Sequence, residues 1–119
     1  MLTELLTIQN QIKLWHWQTK SFSVHMATNT TYEALDDQID KFVEVFSGKY
    51  GHVFNKGGFT VKLENLEGAS SIMSFVDKNI AYLTTELPKT YKETDVDLSN
   101  INADMIGTLN QLKYLLSLE

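Results

Sequence analysis

The sequence predicts an all-α fold, a four-helix bundle with one long crossover between the second and third helices. Three observations carry that reading. Apolar residues recur at spacings of three and four through most of the 119-residue chain. Helix breakers are scarce: there is one Pro, Pro88, and four of the six Gly lie between positions 48 and 58. The four periodic stretches are separated by connections that are short, long and medium.

The first stretch, residues 2–19, places Leu5, Ile8, Ile12, Trp15 and His16 on one face. Ser21-Phe22-Ser23 interrupts it, and either serine suits the N-cap of the next helix. Residues 24–49 form the clearest helix, striped by Tyr32, Leu35, Ile39, Phe42 and Phe46 and closed by Gly48 and Gly51. Residues 50–67 lack periodicity and read as a connection, with one short helical turn expected at 63–67. Residues 69–87 carry Ile72, Phe75, Val76, Ile80, Leu83 and Leu87, and Pro88 stops or kinks that helix. After a polar linker, residues 100–118 carry Ile101, Met105, Ile106, Leu109, Leu112, Leu115 and Leu116, with Ser99 or Asn100 as the expected cap.

One domain accounts for the whole length, and a chain of this size builds a core without staples. There is no Cys, which excludes thiol catalysis, thiolate metal sites and disulfides. Net charge is −5 and every basic residue is Lys, so phosphate has neither a positive field nor an Arg fork. Nucleic acid is therefore not an expected partner, and no basic tail is present to recruit it. No apolar run reaches the ~18 residues of a membrane span, and the N-terminus lacks the features of a signal peptide. No membrane partner is expected, and the expected location is the cytoplasm.

A helix of about 25 residues is about 37 Å long, and roughly 18 extended residues reach about 60 Å. The long connection can thus run back along the bundle and make the second and third helices parallel. That is a ferritin-like topology rather than a simple up-down-up-down bundle.

The second helix carries a row of ligand-type side chains: His25, Asn29, Glu33, Asp36, Asp40 and Glu44. Stepping about 100° per residue from Ile39 puts this row about 40–140° to one side of the apolar stripe. It borders the core without entering it. Asp40 and Glu44 lie one turn apart, so they repel unless a cation or another subunit intervenes. Oxygen ligands with imidazole suit Fe(II), Mn(II) or Zn(II). His16 sits on the buried stripe of the first helix. No Glu-x-x-His occurs, which disfavours a di-iron site inside one bundle and points to a site completed by another subunit. An acidic row beside a stripe is also what an ordinary solvated helix flank looks like. His52, among the glycines of the crossover, reads as a loop histidine.

His16-Trp17, His25 and Ile39-Asp40-Lys41-Phe42-Val43-Glu44, followed by Gly48 and Gly51, together resemble the Dps family of mini-ferritins over residues 12–51. The resemblance implies iron as the bound metal and a ferroxidase site at a two-fold interface. His16 and His25 would come from one subunit, and Asp40 and Glu44 from the other. It also implies Trp17 close to the iron, a homo-oligomer built from dimers and closing into a dodecameric shell, and storage of iron oxidised by peroxide, which limits oxidative stress. Asn29 stands where that family has Asp, the interval from His16 to His25 is shortened, and DNA binding is not implied. The rival expectation is a non-catalytic ferritin-like shell or interaction protein with a degenerate or single-metal site. A zinc or manganese dimer without redox turnover would use the same ligands.

Overall fold

The computed structural model describes residues 1–118, and among them all regular structure is helical. Helix α1 spans Leu2–Gln18, α2 Phe22–Tyr50, α3 Ala69–Thr85 and α4 Val96–Ser117, with a 3-10 turn at Leu87–Thr90. The long axis measures 42 Å. That is close to the length of α2, whose 29 residues rise about 1.5 Å each.

Caps explain where the helices stop. The Ser21 hydroxyl accepts from the Val24 amide at 3.3 Å and starts α2. Gly51, at φ +92°, ends α2 in a conformation that favours glycine. Gly48, expected to help close α2, lies inside it. Pro88 falls at the start of the 3-10 turn, where its missing N–H costs nothing.

Side-chain pairs fix the directions. Gln9 Nε2 donates to Asp36 Oδ1 at 2.6 Å, so α1 and α2 are antiparallel neighbours around the loop that joins them. Gln38 and Thr108 exchange hydrogen bonds of 2.9 and 3.0 Å, and the α2 terminus at Lys49 and Tyr50 meets Asp95 at the start of α4. Those two helices are therefore antiparallel. Lys113 pairs with Asp77 at 2.7 Å while Asn102 reaches the Leu83 carbonyl, so α3 is antiparallel to α4. It follows that α2 and α3 run parallel, and residues 51–68 make the return journey between them. Fully buried Leu5, Ile12, Leu35, Phe42, Ile72, Leu83, Met105 and Leu109 form one core shared by all four helices.

Two expectations are corrected. Residues 63–67 form no helix. Gln11 explains this. It is only 3% exposed on the apolar face of α1, and its amide bonds both the N–H and the C=O of Glu64 at 2.8 Å, as a neighbouring strand would. Trp15 Nε1 adds a bond to the same carbonyl at 3.0 Å, and Gln18 holds Asn65 and Leu66. Second, α4 begins at Val96 with Asp95 at its N-cap, four residues ahead of the expected start. The Asp95 carboxylate accepts from Tyr50 and from the Lys92 amide, and faces Lys49 at 3.4 Å. These are mostly tertiary partners.

Among the described residues, no helix is long and apolar enough to cross a membrane.

Candidate functional site

Three residues separate α1 from α2, and this tight turn brings His16 and His25 face to face. Their rings stack with centroids 3.8 Å apart and planes 19° from parallel. Each ring also reaches across the turn. His16 Nδ1 lies 2.8 Å from the His25 carbonyl oxygen, and His25 Nδ1 lies 2.9 Å from the His16 carbonyl oxygen. A carbonyl can only accept, so both Nδ1 atoms carry protons and donate. Thr28 Oγ1, 3.3 Å from His16 Nδ1, gives that donor a second acceptor while sending its own proton to the backbone of α2.

The tautomer follows. A neutral imidazole protonated at Nδ1 presents a bare lone pair at Nε2, the form in which histidine binds metals. Among the described residues neither Nε2 has a hydrogen-bond partner. His16 is 7% exposed and His25 is partly exposed, so the pair lies at the edge of the bundle where α1 meets α2.

The carboxylates lie elsewhere. Asp40 and Glu44 are exposed on α2, and neither has an ion-pair or hydrogen-bond partner among the described residues. Fifteen residues of helix separate His25 from Asp40, about 22 Å along the axis. Within one protomer the histidines and the carboxylates therefore cannot share an ion. Consistent with that, no group of three or more His, Asp or Glu among the described residues is placed to hold a metal. Of the remaining row, Asp36 is engaged by Gln9, and Glu33 accepts a long bond of 3.4 Å from Asn29.

Trp17 and His52 have surroundings that helical spacing alone does not give. Trp17, whose ordinary role would be core packing, is 67% exposed, with Lys13 Nζ 5.3 Å from its ring centroid. His52 shares a groove of about 440 Å³ with Glu44, Val43 and Ser47. Sequence spacing could not pair it with Glu44, because the chain has left helical geometry at Gly51.

Charge is divided along α2. From Phe22 to Tyr32 the helix has no acidic residue, and Lys13 and Lys20 lie on the adjoining α1 and turn. From Glu33 onward Asp36, Asp37, Asp40 and Glu44 dominate, with Lys41 and Lys49 as the basic residues. Lys49 is committed to Asp95 and Asp97.

The fold and the site together define a small helical-bundle protein with two histidines stacked across the α1–α2 turn. The chain belongs to the family described as "Family of unknown function (DUF5856)", whose model matches residues 16–116. A relative in Enterobacteria phage T4, the uncharacterized 14.6 kDa protein in the mobD-ri intergenic region, is 30% identical over 115 residues, covering 97% of this chain and 84% of its own. No solved structure matches.

These findings overturn the resemblance to Dps: the family that matches, across most of the chain, is a different one. The resemblance rested on a few side chains between His16 and Gly51. Asp40 and Glu44 are simply one helical turn apart, a pairing that any amphipathic helix with an acidic flank can present.

Proposed function

We propose that His16 and His25 bind a divalent transition-metal ion, and that Asp40 and Glu44 of a second copy complete its coordination. The observation that carries this reading is the reciprocal clasp. Two Nδ1–H donors are spent on backbone carbonyls, which leaves both Nε2 atoms without a protein partner; the rings stack almost parallel, so one of them must turn before both Nε2 atoms face a single ion. Backbone carbonyls behind ligating histidines orient the rings and fix the tautomer, which favours metal affinity. The unpaired Asp40 and Glu44 supply the oxygen donors and the negative charge.

The division of charge along α2 supports the partner assignment. Two copies of α2 packed antiparallel about a two-fold axis would set the imidazole end of each against the acidic end of its mate, on the self-complementary plan of an isologous interface. The parallel course of α2 and α3 supports a ferritin-like arrangement of the bundle.

The mixed imidazole and carboxylate set suits iron, with ferrous ion as substrate. In oxidation by hydrogen peroxide, two ferrous ions each give up one electron. The peroxide takes both electrons and two protons and leaves as two waters. Carboxylates favour the ferric product, which retains its charge-matched oxygen ligands. The protein's part is to hold the ion and to draw cations along its acidic face.

Ferrous ion added aerobically, with and without peroxide, should give a fast rise in the ferric-oxo absorbance. Asp40→Ala combined with Glu44→Ala should remove that fast phase. An unchanged fast phase in the double variant would refute the assignment.

One observation favours a second reading. The His16–His25 clasp also closes the α1–α2 turn mechanically, and would do so without any metal. On that reading the chain is a non-catalytic interaction protein that assembles without oxidising iron. Light scattering with metal analysis of the purified protein separates the two.

A further inference from the structure

Exposed apolar side chains are not spread evenly over this bundle. Among the described residues, five of the ten large ones gather at one end: Trp17, Phe22, Met26, Tyr114 and Leu118, from 47% exposed at Met26 to 77% at Phe22. The topology puts them there. Trp17 lies in the last turn of α1 and Phe22 and Met26 in the first two turns of α2. Tyr114 and Leu118 lie at the close of α4, which is antiparallel to α2. Phe22, Met26, Leu115 and Leu118 line one groove of about 350 Å³, whose only polar side chains are Ser23 and Thr30. A contiguous apolar surface of this kind marks a contact site.

Charge at this end has the opposite sign to the rest of the chain. The protein has fifteen acidic residues, yet none falls at 5–32 or 105–118, the stretches that build these helix ends, whereas Lys13, Lys20 and Lys113 do. Lys113 is paired with Asp77. Lys13 sits over the Trp17 and Tyr32 rings, and neither it nor the exposed Lys20 has an acidic partner among the described residues. The crossover acids Glu64 and Glu67 lie on the opposite flank from the α2–α4 groove, in a cleft between α1 and α3 that they share with Lys62 and Lys78. Glu119, which follows Leu118 in sequence, lies outside the described residues.

We propose that this end of the bundle docks on the surface of an anionic phospholipid bilayer. Trp and Tyr favour the headgroup level, and anionic headgroups attract nearby Lys. Phe22 and Leu118 enter the acyl boundary, Trp17 and Tyr114 stay among the headgroups, and Lys13 and Lys20 face the lipid phosphates. A second copy matches less well, because its acidic α2 flank would suit the lysines and leave the apolar patch uncovered. The expectation of no membrane partner rested on the lack of a span and of a signal peptide, and neither bears on surface docking. The patch acts whether or not the histidine pair binds metal.

The test is flotation of the full chain, in the presence of a chelator, with vesicles of phosphatidylcholine alone or mixed with phosphatidylserine. The mixed vesicles should bind at least about tenfold more tightly, and added salt should weaken that binding. Trp17 fluorescence should shift to the blue on binding, and Trp17→Phe should lose the shift, since Trp15 is 4% exposed and already buried. Phe22→Ser combined with Leu118→Ser should weaken binding at least about tenfold, as should Lys13→Glu combined with Lys20→Glu. None of these four side chains belongs to the buried core, so circular dichroism should stay native. Equal binding to the two kinds of vesicle, or unchanged affinity in either double variant, would overturn the proposal. Binding to neither vesicle, with concentration-dependent association that the Phe22 and Leu118 substitutions abolish, would overturn it by assigning the patch to a second copy.

Discussion

Replacing Gln11 with Leu should detach the crossover from α1. Gln11 holds Glu64 by two hydrogen bonds, one to its carbonyl and one from its N–H, each 2.8 Å long. A hydrogen bond between neutral groups is worth about 0.5–1.5 kcal/mol net, and a partner left unsatisfied in a buried place costs about 1–3 kcal/mol. The carbonyl keeps Trp15 Nε1 as a donor, so its loss is small. The Glu64 N–H loses its acceptor, and because Glu64 is exposed it turns to water, so the cost there is about that of one hydrogen bond. The added apolar surface of Leu offsets part of the deficit. The expected net loss is therefore about 1 kcal/mol in urea unfolding. It should come with faster hydrogen exchange at the Glu64 and Leu66 amides, while amides in the middle of α2 change only as far as global stability does. Trp15→Phe should cost about 1 kcal/mol, and the double variant should show coupling, because both side chains act on one carbonyl. A loss below about 0.5 kcal/mol with unchanged exchange at Glu64 would refute the claim that Gln11 is what holds this segment against α1.

Two predictions concern pH. The Asp95 carboxyl is held below its ordinary value of 3.8, first by the Tyr50 hydroxyl and then by the Lys92 amide, with Lys49 adding to the effect. Its contribution to stability is present above that value and is lost as pH falls through the lower folded value. Melting temperature should therefore drop on acidification below about pH 4, and Asp95→Asn should flatten that drop while lowering stability at neutral pH. Tyr82 is pushed up to about 12, chiefly by burial and then by Glu4 and Glu86. Its contribution is present below its ordinary value of 10.0 and is lost as pH rises toward 12, so Tyr82→Phe should be less sensitive to alkali than the native chain when unfolding is followed between those limits.

The helices were legible in the sequence because periodicity reports burial. Leu35, Ile39 and Phe42 announce α2, and Ile72, Val76 and Leu83 announce α3, through spacing alone. The errors fall where a distant residue decides the local outcome. Residues 63–67 are not helical because Gln11, about fifty positions earlier, takes both the N–H and the C=O of Glu64, and a buried Gln within an apolar stripe was the signal available. The start of α4 depends on Tyr50 and Lys49 gripping Asp95, which no window around Asp95 reveals. Trp17 next to His16 looks like core by type, yet adjacent positions on a helix face different ways, and His16 is the one turned inward.

The candidate site was partly legible. His16 stood out as a polar residue on an apolar face, and the short interval to His25 implied a tight turn. The tautomer was not readable, because it depends on which carbonyls the rings meet.

The central claim concerns which protomer supplies which ligand, and mixing two disabled variants tests it. One variant carries His16→Asn and His25→Asn, and the other carries Asp40→Asn and Glu44→Gln. Each alone should bind ferrous ion weakly under anaerobic conditions. If the site spans a two-fold interface, half of the dimers in an equimolar, co-refolded mixture contain one chain of each kind, and each of these has one intact site of its two. Tight sites should then return to about a quarter of the native number. A mixture that binds no more tightly than its separate components, or variants that bind as tightly as the native chain, would contradict the account.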